Sequence, residues 1–108
     1  MEEKTINIAK DFGIVLGGRW IKDGPNSGEA FYTNILEPAF IEAQANGGRL
    51  IIELDGTKGY PSSFLDQSFG ELARTKGVEE VKKRIVFTTK IFPWIVEYIK
   101  SEIWNKTR

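Results

Sequence analysis

The chain has 108 residues, 41% of them hydrophobic, with 15 basic and 15 acidic side chains and neither cysteine nor histidine. That length suits one domain with a core of modest size, and the apolar fraction is too high for a disordered chain. Without cysteine there is no disulfide framework or thiolate centre; without histidine the usual general base is missing, which excludes a histidine-dependent hydrolase acting alone. No run approaches the roughly 20 apolar residues that span a bilayer. Met1-Glu-Glu-Lys-Thr5 lacks the basic and then apolar order of a secretion signal, so a cytoplasmic setting away from membranes is expected. Asp11, Asp23, Asp55 and Asp66 follow no metal-loop spacing, and neither metal nor other cofactor is expected. Charge is unevenly placed, with 8 basic and 13 acidic groups in residues 1–81 against 7 and 2 in residues 82–108. This asymmetry suits steering of a charged partner but falls short of a nucleic-acid footprint.

Thr5 to Phe12 alternates apolar and polar residues and predicts a first strand with Ile6, Ile8 and Phe12 toward the core. Ile14-Val-Leu16 predicts a second, continued by Arg19-Trp-Ile21 after a bend at Gly17-Gly18. After the Asp23–Asn26 loop, Asn26 or Ser27 caps a helix, and Glu29 stands where a capping box from Asn26 needs it. Phe31, Ile35, Ala39, Phe40 and Ala43 recur at helical spacing, and Asn46-Gly47 supplies the stop. Pro38 removes a backbone donor inside this run, so the helix is kinked near Glu37 or divided there.

Leu50–Leu54 is a short apolar run suited to an interior strand, whose Glu53 needs solvent or a partner. The Asp55–Pro61 loop leads into a second helix, with Ser63 as its cap, Asp66 at its positive end and Leu65, Phe69, Leu72 and Ala73 as its apolar face. Gly77 ends it. Arg84–Thr88 predicts another strand, and Pro93 opens a last helix that covers the sheet with Ile95, Tyr98, Ile99 and Ile103, with Trp94 beside them. Trp104 is placed at a sheet edge, at a subunit contact or partly in solvent. The sum is a small single α/β domain over residues 1–108, a mixed sheet of about four strands covered by about three helices.

The segments Gly17-Gly-Arg19, Asp23-Gly-Pro-Asn-Ser-Gly-Glu29 and Asp55-Gly-Thr-Lys-Gly-Tyr-Pro-Ser-Ser-Phe-Leu65 together resemble the STAS-like domain family, small bacterial and phage domains largely of unknown function, over about residues 5–104. More distantly the chain is similar to STAS domains of anti-sigma factor antagonists. That likeness implies a partner of the histidine-kinase-like ATPase class and a phosphoacceptor hydroxyl at a strand-to-helix turn with an Asp-Ser-Ser-Gly pattern. On this chain Pro61 falls at the acidic position, Ser62 at the phosphoacceptor, Ser63 after it and Phe64 at the glycine. The expected function is a non-enzymatic, protein-binding regulatory module switched at Ser62. Its binding face is expected to comprise Asp55, Thr57, Lys58, Tyr60, Ser62, Ser63 and Phe64.

Other readings stay open at this level. Ser62 can make an ordinary turn hydrogen bond. Gly17, Gly18 and Arg19 can bind an anion, since glycines let backbone donors approach a phosphate, or simply bend the chain. Asp55 with Ser62 or Ser63, and Lys58 if the loop curls, composes a small hydrolase or transferase site, although a carboxylate is a poor activator of serine at neutral pH. The fold can also serve as a structural subunit, including a homodimer.

Overall fold

The computed structural model describes residues 3–105. Strand β1 (Glu3–Asn7) runs straight into a single helical turn, α1 (Ile8–Asp11). A long loop containing a 3-10 turn at Ile21–Asp23 leads to α2, residues 28–45. Strand β2 (Arg49–Glu53) is followed by α3 (residues 62–76), α4 (Val78–Arg84), β3 (Ile85–Thr88) and α5 (residues 93–103). The sheet has the order β1-β2-β3, and both pairings are parallel. The expected mixed sheet of about four strands is therefore corrected to three parallel strands among the described residues.

The error lies in the opening segment. The side chain of Asn7 accepts the Lys10 N–H at 3.0 Å and the Asp11 carboxylate accepts the Asn7 N–H at 2.9 Å. This reciprocal cap stops the strand at Asn7, so Ile8 is buried from a helical turn rather than from a strand. Ile14–Leu16 then has no strand to pair with. The Ile14 carbonyl accepts the Lys58 N–H at 2.9 Å and the Val15 carbonyl accepts the Asn26 amide at 2.7 Å. Backbone groups expected in a ladder are satisfied by other loops instead.

Register explains which side chains are buried. Ile6, Ile52 and Phe87 lie in one row across the sheet and Leu50 pairs with Ile85, all toward the helices. Thr5, Ile51 and Val86 form the row between them and alternate to the other face, outside the core. The later half of α2 lies against β1 and β2, and α4 packs on the end of α3. The core joins Ile8, Phe31, Leu36, Phe40, Phe64, Leu65, Phe69 and Leu72 to these strands.

Helix α2 runs through Pro38 by way of a π turn at Tyr32–Leu36, where the Glu37 N–H donates to the Tyr32 carbonyl five residues back. The wider turn absorbs the donor that proline lacks, so the helix is neither ended nor split there. Ser27, and not Asn26, caps it, accepting the Ala30 N–H at 3.1 Å. Glu29 accepts the Ile21 N–H and makes no capping box. Helix α4 (Val78–Arg84) has no counterpart in the expected elements, because Val78 and Val81 are its only apolar anchors. Ile95, Ile99 and Ile103 are buried as expected. Trp94 is corrected, since it is 60% exposed, and Tyr98 also faces solvent. Trp104 is 1% exposed and its indole N–H donates to the Phe69 carbonyl at 3.1 Å.

Helices α2 and α3 meet at Gly28. A β-carbon there would stand 2.6 Å from the Phe64 carbonyl oxygen and 3.0 Å from the Gln67 β-carbon. The neighbour is backbone, which cannot move aside cheaply. Gly28→Ala is expected to lower stability by about 1–3 kcal/mol through overpacking. A urea midpoint equal to that of the parent would show that the two helices separate freely.

Candidate functional site

The Asp55–Pro61 loop follows the middle strand, at the carboxyl end of the sheet, where open parallel sheets place their ligands. Asp55 is turned away from the serines. Its carboxylate accepts the Thr89 hydroxyl and the N–H groups of Lys90 at 2.8 Å and Ile91 at 3.2 Å. Thr89 in turn accepts the Phe92 N–H at 2.8 Å. The Thr89 hydroxyl, foremost, and the Lys90 N–H hold the Asp55 carboxyl below the usual carboxylate range. Its work is to order the turn that leads into α5.

Tyr60 is buried and its hydroxyl donates to the Leu54 carbonyl at 2.6 Å. Burial pushes its phenol up to about 12, and the buried Thr57 hydroxyl opposes that rise. Phe64 is fully buried, stacked on Phe31 at 5.6 Å. Neither ring offers surface to a partner, which corrects their expected place in the binding face. They form the wall behind it. Lys58 and Ser62 are exposed and Ser63 is half-buried.

Neither serine caps the helix. Pro61 holds φ −62° and ψ 145° and stands at the N-cap, and the Leu65 N–H donates to its carbonyl at 3.1 Å. Ser62 is thus the first helical residue and Ser63 the second, so Ser63 is not the cap. With its φ fixed by the ring, Pro61 opens the helix two positions earlier than a Ser63 cap would.

Ser62 lies on a groove of roughly 1060 Å³ shared with Arg19, Asp66, Arg74, Val78 and Tyr98. Asp66 is its electrostatic centre. One carboxylate oxygen accepts from Arg19 and the other from Arg74 at 3.3 Å, while Arg74 also donates to the Asp66 carbonyl at 3.0 Å and to Glu71 at 3.1 Å. Burial raises the Asp66 pKa, and the two guanidinium groups outweigh it, leaving the carboxyl below its usual range. Gly17 and Gly18 do not cradle an anion by the Gly17 N–H, which donates to the Asn26 carbonyl at 3.1 Å. Gly18 takes φ +86°, and its carbonyl accepts the Gly28 N–H at 3.1 Å. The glycines shape the loop that delivers Arg19. Arg74 was missed in the sequence, where a separation of eight from Asp66 flags no helical pair.

Asp55 lines a separate cleft with Asn7, Glu53, Thr88, Thr89 and Lys90. Glu53 accepts the Asn7 amide at 3.0 Å, the partner its place in a strand required. The large groove carries neither Asp55 nor Lys58, so the trio expected of a hydrolase is not assembled around Ser62. Among the described residues no cluster of acidic groups could hold a metal ion, and no helix is long and apolar enough to cross a membrane.

Residues 27–89 match the family model described as a STAS-like domain of unknown function (DUF4325). The chain belongs to this STAS-like family. The match opens at the Ser27 cap and closes at Thr89, so it includes Asp55, Ser62, Asp66 and Arg74 but leaves Arg19, β1 and α5 of this STAS-like protein outside. No curated protein and no solved structure matches the chain.

The lowered carboxyl of Asp66 has a defined consequence for acid stability. A carboxyl depressed in the folded state stabilises the fold above its unfolded value, about 3.9, and loses that contribution as pH falls through the folded value. Asp66→Asn is expected to be less stable than the parent at neutral pH, with the gap closing below about pH 4. Urea midpoints across pH 2–7 measure it, and a gap independent of pH would show that the ion pairs carry no net stability.

Proposed function

We propose that this STAS-like domain is a non-enzymatic, partner-binding regulatory module, paired with a histidine-kinase-like ATPase and switched by phosphorylation of Ser62. The observation that carries the reading is the exposure of Ser62 in the first turn of α3, on the rim of a groove that also holds two arginines. A phosphoacceptor must be reachable, and a phosphate adds about −1.5 to −2 charges to whatever surface surrounds it. On an interface, that charge weakens or reorders binding.

The surface beside Ser62 supports partner binding. Ile14 and Val15 are 50% and 63% exposed, and Ile91 and Trp94 are 56% and 60% exposed. Large apolar groups held in solvent on ordered loops are a feature of contact surfaces, and tryptophan is enriched among residues that dominate binding. These groups lie on neighbouring loops and, for Trp94, in the first turn of α5. The Lys58 N–H bonds to the Ile14 carbonyl, Asp55 gathers the backbone of Lys90 and Ile91, and Tyr60 meets Phe92 edge to face at 5.2 Å. Phe92 in turn contacts Trp94 at 5.7 Å. The binding face thus consists of Lys58, Ser62 and Ser63 with these exposed apolar groups, backed by Tyr60 and Phe64.

The test is a titration against a histidine-kinase-like ATPase encoded beside this chain, with intact mass recorded after addition of ATP. A gain of one phosphoryl group that disappears in Ser62→Ala and persists in Ser63→Ala is expected. Ser62→Asp and Trp94→Ala are expected to weaken binding by about tenfold or more, equal to about 1.4 kcal/mol. Unchanged mass defeats the phosphorylation step, and unchanged affinity in both variants defeats this face.

A further inference from the structure

Of the two arginines in the groove, which Lys82 also lines, Arg19 is the one with a fork to spare. A guanidinium has five N–H donors, and among the described contacts that of Arg19 engages Asp66 through one nitrogen alone. Arg74 differs, because its Nε, Nη1 and Nη2 are all engaged, on Glu71, on the Asp66 carboxylate and on the Asp66 carbonyl. Arg74 therefore holds Asp66, and Arg19 has the capacity to take a second anion.

Ser62 is placed to present one. The Asp66 N–H donates to the Ser62 carbonyl, so the two residues are a helical turn apart on one face, with β-carbons about 5–6 Å from each other. Arg19 already reaches Asp66 from across the groove. A phosphate on the Ser62 hydroxyl extends toward that guanidinium, carries more charge than a carboxylate, and matches the planar fork of arginine in a two-bond arrangement. Asp66 repels the phosphate, and its attachment to Arg74 keeps it from requiring all of Arg19.

We infer that Arg19 reads a phosphate ester on Ser62, pivoting from Asp66 toward it while Arg74 retains the carboxylate. This deepens the phosphorylation reading of Ser62 and rests on it. In the modification the γ-phosphoryl group of ATP moves from the ADP oxygen to Ser62 Oγ, the hydroxyl proton passes to the kinase or solvent, and ADP leaves. The read-out travels by backbone. The Arg19 carbonyl accepts the Glu29 N–H at 3.0 Å and the Gly18 carbonyl accepts the Gly28 N–H, so Arg19 is tied to the start of α2. Trp20 and Ile21 stand exposed next to it.

The experiment uses the full chain with phosphoserine installed at position 62 during translation, so it needs no kinase and survives a failure of the kinase assay. The second ionisation of the phosphate is followed by phosphorus NMR. In the parent it is expected to lie about 1 pH unit below that in Arg19→Gln, the direction a nearby opposite charge imposes. Asp66→Asn is expected to lower it further by removing a like charge. Arg19→Lys, which keeps charge but loses the fork, falls between parent and Arg19→Gln; Arg49→Gln, on the Glu3 side of the sheet, leaves the titration where it was. Circular dichroism checks that each variant is folded. Equal titration of the phosphate in folded parent and Arg19→Gln overturns the inference, as does an equal shift in Arg49→Gln.

Discussion

The contact between Gly28 and the backbone of Phe64 is the constraint from which the site follows. With no side chain at position 28, α2 and α3 approach closely enough for Phe31 and Phe64 to stack at 5.6 Å and for Phe12 to meet Phe31 edge to face at 5.3 Å. Such ring pairs add to the area they bury. The same first turn of α2 holds the Gly18 and Arg19 carbonyls through the N–H groups of Gly28 and Glu29. One close approach therefore fixes both the helix that carries Ser62 and Asp66 and the loop that carries Arg19. The polar site is a consequence of apolar packing behind it.

Asp55 performs the corresponding task at the end of the sheet, by hydrogen bonding instead of burial. A carboxylate that accepts a hydroxyl and two backbone N–H groups satisfies donors that a tight turn after β3 would leave without partners. The turn places Phe92 against Tyr60, and Tyr60 closes the loop below Ser62 by its bond to the Leu54 carbonyl. Tyr32 makes a third tie, donating to Glu37 at 2.9 Å and meeting the Thr75 hydroxyl at 2.9 Å, which fastens α2 to the far end of α3. Burial, first among its causes, raises the Tyr32 phenol to about 12, so it stays a donor throughout the physiological range. Polar groups of this kind fix geometry more than they add stability.

The sequence made the middle of the fold legible where patterns were long or strongly punctuated. The helical spacing of Phe31 to Ala43, the β-rich run before Asp55 and the buried face of Leu65, Phe69 and Leu72 all survive in the structure. Of the opening strands the first is cut short at Asn7 and the second is replaced by a loop, because alternation at Ile6 and Ile8 fits a strand and a strand followed by a capped turn equally well, and the Asn7–Asp11 exchange decides between them. Helix α4 was hidden by having few apolar residues. Its Glu79 and Glu80 in the first turn and Lys82, Lys83 and Arg84 in the last suit the helix dipole, a signal in charge order that hydrophobic spacing does not register. Two of the seven basic groups of residues 82–108 are paired there, Lys83 and Arg84 both with Glu80. Of the groove, Ser62 and Arg19 were legible as individual residues. Their shared placement was not, since it arises only when the loop after α1 and helix α3 come together.

The pairing of Arg74 with Asp66 shows why one member of the groove escaped notice. At about 100° per residue, positions eight apart in a regular helix diverge by about 80°, whereas positions seven apart differ by only about 20°. Helix α3 contains a π turn at Asp66–Gly70, where the Glu71 N–H reaches back five residues to the Asp66 carbonyl. Such a turn inserts one residue without advancing the helix by a regular step, so a separation of eight acts as a separation of seven and Arg74 comes to lie above Asp66. Ser68, inside the turn, bonds by its hydroxyl to the Phe64 carbonyl at 2.7 Å, an interaction that competes with the regular ladder and accommodates the bulge. In an unbroken α-helix Arg74 would be rotated off the groove, and Arg19 would be the sole guanidinium on Asp66. The π turn is thus what supplies a second cation to the carboxylate and leaves the first with donors unused.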